Sequence, residues 1–519
     1  MAQIEYHKKK FLIIEDHAEF RSSLKSMVRM FGAHMVDSVH DGEVGIAKII
    51  NTHYDIILSD YELGKGKDGQ QILEETRHSG LLKASSVFVL ITAATTVEMV
   101  MGALEYEPDG YITKPITHEN LKTRLDKIMQ EKAIFQEVDH AIDQKKYKLA
   151  LQACDKVAKE QAKFQIKALR IKSKLLLNLE RYDEAATLFN AIIAVRDLPW
   201  ARLGLGKVAY YKGEYEKALH IFQQLAEEDK RNVEAFDWLS KVYQSQQQPI
   251  ESQKALQHAV ERSPKSILRQ MELGQIAKTN QDWAIAEVAF RKAVNLGRNS
   301  CYRTPNNYTA LVQVLQHKIK DAEGRKSKDA LTEALRIIDS LEKEFSDNTD
   351  ALLFAKILLA ETNGNLGKTK EADQILTALA TDISNAAEQM SQSMALSLAN
   401  AYESTGHQNE ANQLRDKYKT SSANEMINND GIRLYKAGHL KEALAIFREA
   451  AKTPEASPGV LLNALQTSLS AIEANGSDDL LMESCNRYLS RLKNLDSNDK
   501  NYMRYQKLNA SYANLSTPK

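Results

Sequence analysis

Short runs of apolar, β-branched residues alternate with segments of helical periodicity over the first 130 residues. Two of the runs, DIILSD and VFVLIT, have apolar centres of the kind found in strands that are covered on both faces. The pattern therefore predicts a doubly wound α/β domain at residues 1–130, with five parallel strands wrapped by helices. The runs extend from Phe11 to Ile14, His34 to Val39, Tyr54 to Ser59, Val87 to Thr92 and Gly110 to Thr113.

From about residue 135 the strand pattern gives way to a helical repeat. Small residues recur at intervals of 35, 33, 34 and 34, and a large or apolar residue follows each of them four positions later. This period resembles that of the tetratricopeptide repeat (TPR), in which two antiparallel helices pack through the small residues. We predict an all-α TPR solenoid of about nine or ten repeats at residues 131–495, then a capping helix and tail at 496–519. The small residues are Ala150, Ala185, Ala218, Ser252 and Ala286 and, at looser spacing, Ala334, Ala372, Ala411 and Ala443.

Two segments of the repeat region are rich in polar and small residues. They are KDAEGRKSKD at 320–329 and LQTSLSAIEANGSDD at 465–479. Glycine and clustered polar residues interrupt helices, so we expect irregular connections at both places.

Composition narrows the classes of partner. Lys plus Arg and Asp plus Glu both number 69 in the 519 residues, so no global field attracts the chain to nucleic acid or to anionic lipid. No stretch approaches the roughly 18 apolar residues of a membrane span. The three cysteines, Cys154, Cys301 and Cys485, are far apart and odd in number, which indicates small core residues in a reducing compartment. We expect a soluble, cytoplasmic protein.

Four of the predicted strands end in polar side chains that could bind a metal or a phosphoryl group. Because the carboxyl ends of parallel strands meet at one edge of a sheet, these side chains should lie together. Three carboxylates in one place repel one another, so a hard cation such as Mg²⁺ or the lysine must compensate them. Loops also place Asp and Thr at strand ends, which explains any single residue but not the whole set. The set is Glu15 and Asp16, Asp60, Thr92 and Lys114.

This ordered set, with Tyr111 three residues before the lysine, resembles the receiver domain of two-component response regulators. The resemblance implies a flavodoxin-like fold over about residues 8 to 130. It also implies that Asp60 accepts a phosphoryl group from a sensor histidine kinase or a phosphotransfer protein. Lys114 would then pair with a phosphoryl oxygen, while Thr92 and Tyr111 would act as the switch.

The same resemblance implies a magnesium site. Asp16, Asp60 and the backbone carbonyl of Glu62 would bind Mg²⁺, and Glu15 would contribute through a metal-bound water. The loop from Tyr61 to Gly69, YELGKGKDG, departs from the family pattern, with Gly64 where proline is usual and about one extra residue. Glu62 and Ala94 would flank the water that hydrolyses the acyl phosphate, so this departure leaves the dephosphorylation rate open.

The repeats suggest where a partner binds. In TPR arrays the first helices of successive pairs line a concave groove, and a lysine recurs at one groove position in three consecutive repeats. We predict that this lysine ladder, with two exposed tryptophans, binds an acidic segment that carries apolar anchors. The alternative is that the lysines are solvated helix residues and the tryptophans half-buried packing. The residues are Lys174, Lys207, Lys241, Trp200 and Trp238.

These features predict a response regulator without enzymatic activity beyond its own phosphorylation and dephosphorylation. The array would capture or release an output protein, for example a cyclic-di-GMP phosphodiesterase, as in regulators of similar layout. The face near Thr92 and Tyr111 would dock on the array or pair with a second receiver in a homodimer. The alternative is a transcription or RNA-level regulator whose array contacts nucleic acid, against which the neutral charge argues.

Overall fold

The first domain is built on one parallel sheet. The computed structural model describes residues 4–93, 106–321, 325–386, 390–418, 423–476 and 478–516. The five strands are ordered β2-β1-β3-β4-β5 and all neighbouring pairs are parallel. The predicted doubly wound fold is therefore confirmed. The strands are β1 (Lys10–Ile14), β2 (Met35–Val39), β3 (Ile56–Asp60), β4 (Val87–Thr92) and β5 (Gly110–Thr113).

Helices cover both faces of this sheet because alternate residues of each central strand point to opposite sides. Phe11 and Ile13 of β1 lie in one core cluster, whereas Leu12 and Ile14 lie in another. Such double burial requires an apolar run rather than an alternating one, as the sequence has. The surrounding helices in the described ranges are Ala18–Met30, Gly42–Asn51, Gly69–His78 and His118–Ile134. The last one extends past the domain boundary expected at residue 130.

The remainder of the chain is an array of helices in which successive helices pack on one another. The predicted all-α region is therefore confirmed. The first part comprises Gln136–Asp143, Tyr147–Glu160, Gln165–Asn178, Tyr182–Val195, Pro199–Tyr211, Tyr215–Glu228, Val233–Ser245, Pro249–Arg262, Ile267–Thr279 and Trp283–Gly297. The second part comprises Pro305–Asp321, Arg325–Glu344, Thr349–Asn365, Thr369–Ala378, Ala380–Ala386, Gln392–Ser404, Gln408–Tyr418, Ala423–Lys436, Leu440–Lys452, Pro458–Asn475, Asp479–Leu492 and Tyr502–Ser516.

The small residues that define the repeat pack where two helices come closest. All nine, from Ala150 to Ala443, have 0% relative exposure. At four of these places a glycine of the neighbouring helix packs against the phenylalanine that follows the small residue. A Cβ at Gly206 would lie 2.6 Å from the Phe222 ring, and one at Gly274 would lie 2.9 Å from the Phe290 ring. The spacing read from the sequence thus corresponds to real helix contacts.

We expect Gly204→Ala to lower the free energy of unfolding by about 1 to 3 kcal/mol, because the added methyl group overpacks this contact. A Cβ at Gly204 would overlap the ring of Phe189, which is itself buried. Gly297→Ala is the matched control, because a Cβ there meets nothing within 4 Å. Urea unfolding of both variants measures the effect, and equal stabilities would contradict the packing that we describe.

Two expectations about the array need correction. The segment 465–475 is not an irregular connection, because it belongs to the helix Pro458–Asn475. Its Leu465, Leu469 and Ile472 are buried and hold it in the core despite the polar residues between them. Within 320–329, residues 322–324 lie outside the described ranges, and the rest is helical.

Cys154 and Cys485 are buried as expected, but Cys301 is only partly buried.

The last helices of the array pack back on its first helices. Arg487 donates to Glu180 Oε2 at 3.0 Å and to the carbonyl of Leu179 at 2.5 Å. Arg448 donates to the carbonyl of Asn178 at 3.1 Å. Leu480 packs against the core cluster of the first repeats. These contacts close the array on itself.

None of the helices in the described ranges has both the length and the hydropathy that a membrane span needs.

A cluster of charged residues joins the two domains. Lys132 donates to the carbonyl of Ala84 at 2.6 Å and lies 3.2 Å from Asp109 and 3.5 Å from Asp139. Asp143 accepts from the backbone N–H of Ala84 at 2.6 Å. Burial raises the pKa of Asp139 to about 6, and Lys132 only partly opposes that rise.

This pKa makes the stability depend on pH. An Asp titrates near pH 4 in an unfolded chain, so between about pH 4 and 6 the folded protein binds more protons at Asp139 than the unfolded chain does. Stability is therefore lost as pH rises through about 6. We expect Asp139→Asn to raise the free energy of unfolding by about 1 to 2 kcal/mol at neutral pH and to have little effect near pH 4. Denaturant titrations at the two pH values test this, and a gain that does not change with pH would contradict it.

Candidate functional site

The carboxylates predicted to converge do so at one edge of the sheet. β1 and β3 are adjacent and parallel, so Glu15 after β1 and Asp60 at the end of β3 lie side by side. Glu15 is 0% exposed and Asp60 is 5% exposed, whereas the side chain of Asp16 is 29% exposed. β3 ends at Asp60 rather than at Ser59, so the strand itself fixes the backbone of this carboxylate.

Lys114 provides the positive charge at this edge. Its Nζ donates to Asp60 Oδ2 at 2.8 Å and to Glu15 Oε2 at 3.1 Å. Its backbone N–H donates to the carbonyl of Thr92 at 2.7 Å, which fixes the lysine beside the end of β4. The lysine therefore bridges two buried carboxylates from different strands, as the sequence predicted from the need to compensate their charges.

The pKa shifts follow this arrangement. Burial, followed by the charge of Asp60, raises the pKa of the Glu15 carboxyl, and Lys114 opposes the rise. Burial lowers the pKa of Lys114, but hydrogen bonds and charges from Asp60 and Glu15 outweigh it, so the net shift is upward. The site thus holds a cation firmly between anions that repel each other. A further cation would be favourable here, because one lysine does not balance the charges of two buried carboxylates.

Sequence reasoning missed three neighbours of these carboxylates. Arg21 donates to the carbonyls of Glu15 at 2.6 Å and Asp16 at 3.0 Å, which fixes the backbone after β1. Phe20 places its ring 4.3 Å from Lys114 Nζ, close enough for a cation–π interaction. His17 Nδ1 lies 2.8 Å from Asp16 Oδ1. All three belong to the segment that follows the acidic pair, but no spacing or motif distinguishes them there.

Thr92 and Tyr111 lie on the neighbouring strands β4 and β5. Thr92 ends β4 and is buried, and it lies opposite Thr113 in the pairing of the two strands. Burial raises the pKa of the Tyr111 phenol, and the neighbouring Thr92 opposes that rise. The structure therefore brings the two predicted switch residues together. Ala94 lies outside the described residues.

The unusual loop between β3 and the next helix runs from the acidic site to the array. A Cβ at Gly64, which has φ +68°, would lie 3.3 Å from Asp16 Oδ2, and Glu62 is exposed nearby in the chain. Further along, the carbonyl of Gly66 accepts from Asn299 Nδ2 at 2.8 Å. Lys67 Nζ donates to the carbonyl of Asn299 at 2.7 Å. One end of the loop thus touches the acidic site and the other end touches the array.

Two of the three lysines of the ladder pair with carboxylates of this chain. Lys174 donates to both carboxylate oxygens of Glu107, a residue of the first domain, at 2.6 Å. Lys207 pairs with Glu234 at 2.5 Å, and Lys241 Nζ lies 4.7 Å from the ring of Trp238.

The tryptophans are not the exposed pair that the sequence suggested. Trp238 is 8% exposed and packs against Phe222, Tyr210 and Tyr211. Trp200 is half-buried against Phe189. Aromatic neighbours from adjacent helices cover both rings, and the repeat pattern alone did not reveal those neighbours. Trp238 is thus buried and Trp200 half-buried, so the alternative, in which the tryptophans are packing residues, describes them better.

The acidic edge has the donor set that a hard cation requires. Ligand atoms of Glu15, Asp16 and His17 lie within 4.8 Å of one another, and Asp60 shares Lys114 with Glu15. Carboxylate and carbonyl oxygens are the donors that Mg²⁺ prefers. The closeness of the buried Glu15 and Asp60 carboxylates, which both accept from Lys114 Nζ, is the observation that favours a divalent cation at this place.

The comparisons with known proteins agree with this geometry. Residues 11–126 match the family model of the response regulator receiver domain. Chemotaxis protein CheY-3 of Vibrio cholerae is 30% identical over 121 residues, which cover 23% of this chain and 92% of that protein. Chemotaxis protein CheY of Pseudomonas aeruginosa is 26% identical over 121 residues, covering 23% of this chain and 96% of that protein.

A solved structure matches the same region. The CheY-like response regulator receiver domain protein from Methanospirillum hungatei is 23% identical, with a TM-score of 0.23, covering 24% of this chain and 96% of that one. Through the family model and the CheY-3 match, the first domain defines the class of protein. The chain belongs to the response regulator receiver family, and it continues beyond that domain as a helical array.

Proposed function

We propose that Asp60 accepts a phosphoryl group from the phosphohistidine of a sensor histidine kinase or phosphotransfer protein, and that this event controls what the array binds. The observation that carries the proposal is the bridge of Lys114 between Asp60 and Glu15 at the carboxyl edge of the sheet. A purely structural role does not account for a buried carboxylate beside a lysine and two further acids. The same set of groups suits transfer of a phosphoryl group.

The transfer forms one bond and breaks one. An oxygen of the Asp60 carboxylate bonds to phosphorus while the P–N bond of the phosphohistidine breaks, and the bonding electrons remain on the imidazole. The products are an acyl phosphate on Asp60 and a free histidine on the donor. Mg²⁺ held by Asp16, Asp60 and the Glu62 carbonyl, with Glu15 acting through a bound water, would neutralise phosphoryl charge.

The residues of the chain then respond to the new charge. Phosphorylation adds about 1.5 to 2 negative charges, so Lys114 gains a stronger partner than the Asp60 carboxylate. Thr92 and Tyr111 are adjacent, so a movement of the Thr92 hydroxyl toward the phosphoryl group changes the surroundings of the Tyr111 ring. Two or three new hydrogen bonds at about 1.5 to 3 kcal/mol each supply the roughly 5.5 kcal/mol that inverts a 1:99 equilibrium.

The output belongs to the array, which we propose to be TPR-like and to bind protein. The buried small residues and the glycine contacts support this assignment. Lys174 is the groove residue best suited to an acidic partner, because its present partner, Glu107, belongs to the first domain and is about half exposed. A signalling enzyme such as a cyclic-di-GMP phosphodiesterase is one candidate for the output protein.

A pull-down from source-cell lysate tests the output. The full chain is compared in the presence of beryllofluoride with magnesium, a phosphate mimic, with an Asp60→Asn chain treated in the same way. We expect a protein to be retained by only one of the two samples, and Lys174→Glu to abolish its retention. Identical retention in both would contradict control by Asp60. A salt-dependent shift of nucleic acid at submicromolar protein would instead favour the nucleic-acid alternative.

A further inference from the structure

A single patch joins the loop beside the acidic site to the array. We call it the docking interface. In addition to the two contacts of Asn299 with the loop, Gln71 Nε2 donates to the carbonyl of Leu296 at 3.4 Å. The rings of His78 and Tyr302 lie 5.1 Å apart, edge to face. Its residues are Gly66, Lys67, Gln71, Glu74 and His78 in the first domain and Leu296, Asn299, Ser300 and Tyr302 in the array.

Glu74 is the centre of the docking interface. It is 3% exposed, and its carboxylate accepts from Ser300 of the array at 3.1 Å and from Tyr106 of the first domain at 2.5 Å. Burial raises its pKa, and these two hydrogen bonds oppose the rise. A buried carboxylate with donors from both domains makes the interface specific, since separation of the domains replaces the Ser300 contact with water. The half-exposed Lys174–Glu107 pair contributes much less.

The docking interface is connected to Asp60 by one helix and by the loop before that helix. The helix Gly69–His78, which carries Gln71, Glu74 and His78, begins directly against the phosphoacceptor, because a Cβ at Gly69 would overlap the backbone carbonyl of Asp60. The loop before this helix lies beside the acidic site and is hydrogen-bonded to the array. Gly64 lies near Asp16. The backbone and the side chain of Lys67 are both fixed, because its N–H donates to Glu43 at 3.1 Å and its Nζ donates to the carbonyl of Asn299.

We propose that phosphorylation of Asp60 opens the docking interface through the loop Tyr61–Gly69, so that the array is released from the face around Glu74. This inference rests on the proposed function of Asp60. It assigns a role to the departure of this loop from the family pattern: the glycines and lysines form a link to the array. It differs from our expectation that the face near Thr92 and Tyr111 makes the connection.

The chain contains its own reporter of this opening. Cys301 lies between two residues of the docking interface and is partly buried, whereas Cys154 and Cys485 are buried in the array. Burial and the neighbouring Glu74 raise the pKa of the Cys301 thiol to about 11. Opening the interface removes both effects, so the thiolate fraction and the access of a reagent increase together.

The experiment is maleimide labelling of the full chain, followed by mass spectrometry, with Cys301→Ser as the background. We expect beryllofluoride with magnesium to increase the labelling rate of Cys301 about tenfold, within the usual range of coupling between sites. Asp60→Asn should show no increase. Asn299→Ala should label rapidly without the mimic, whereas the exposed Asn190→Ala should label as the wild type does. Circular dichroism verifies that each variant is folded.

Two results would separate this inference from the proposed function. If acetyl phosphate adds one phosphoryl group to Asp60 but Cys301 labelling is unchanged or slower with the mimic, the coupling is wrong and the phosphoacceptor role stands. If no phosphoryl group is added, the proposed function fails, and the inference fails with it. Rapid labelling of wild type before any treatment would also overturn the inference, because the interface would then already be open.

Discussion

Asp60→Asn is expected to abolish phosphorylation of the chain by acetyl phosphate in the presence of Mg²⁺, with a loss of at least about 100-fold in rate. The amide of asparagine is not a nucleophile, and no other carboxylate in the described site has the same position. Glu15 is buried beside Asp60 and shares Lys114 with it, but Glu15 follows β1, the strand that lies next to β3 in the sheet. Intact-protein mass spectrometry measures the gain of one phosphoryl group.

The matched control for this variant is Asp41→Asn. Asp41 caps the helix Gly42–Asn51 through a hydrogen bond to the N–H of Val44. Asparagine caps helices as well as aspartate does, so the fold should be unaffected. We expect this variant to be phosphorylated at the wild-type rate.

Removal of the Asp60 charge should also relieve the repulsion that contributes to the raised pKa of Glu15, so Asp60→Asn should not be less stable than the wild type. Persistent phosphorylation of Asp60→Asn would exclude Asp60 as the acceptor.

Glu180→Gln is expected to produce the largest loss of stability, about 2 to 4 kcal/mol. The Glu180 side chain is 6% exposed and lies between Arg487 at 3.0 Å and Arg448 at 4.0 Å, where the last repeats meet the first. Neutralising it leaves two partly buried guanidinium groups without their shared anion. Glutamine preserves the size of the side chain and avoids a further change at a residue whose φ is +57°. Urea unfolding of the full chain measures the loss.

Glu184→Gln provides the comparison for this prediction. Glu184 pairs with Arg181, but its side chain is 55% exposed. Exposed pairs of this kind contribute about 0.2 to 1 kcal/mol, so we expect a small change. If the two glutamine variants have the same stability, the closure of the array through Glu180 does not contribute to stability as described.

The local patterns of the sequence predicted the sheet and the acidic edge well. The apolar runs located β4 and β5 to the residue, because both strands are bounded by clear changes in polarity. The meeting of Glu15, Asp60 and Lys114 follows from the parallel arrangement, since all three lie at or directly after the carboxyl ends of strands. The repeat spacing likewise identified the buried small residues, because each helix pair repeats the same contact.

Contacts between distant parts of the chain were not predictable in this way. Asn299 meets Lys67 across 232 positions, and Arg487 meets Glu180 across 307 positions, without any periodicity that links them. The burial of Trp238 depends on rings from a neighbouring repeat. The helix at 465–475 was missed because its polar and small residues favoured a connection, whereas burial of Leu465, Leu469 and Ile472 determined the outcome.

Hydrogen exchange of the full chain, with and without beryllofluoride and magnesium, tests most directly whether charge at Asp60 controls the array. The account predicts faster exchange in the segment 298–304 and in the loop 61–69 of the wild type, and no change in Asp60→Asn. Faster exchange confined to the sheet edge, with 298–304 unchanged, would contradict it.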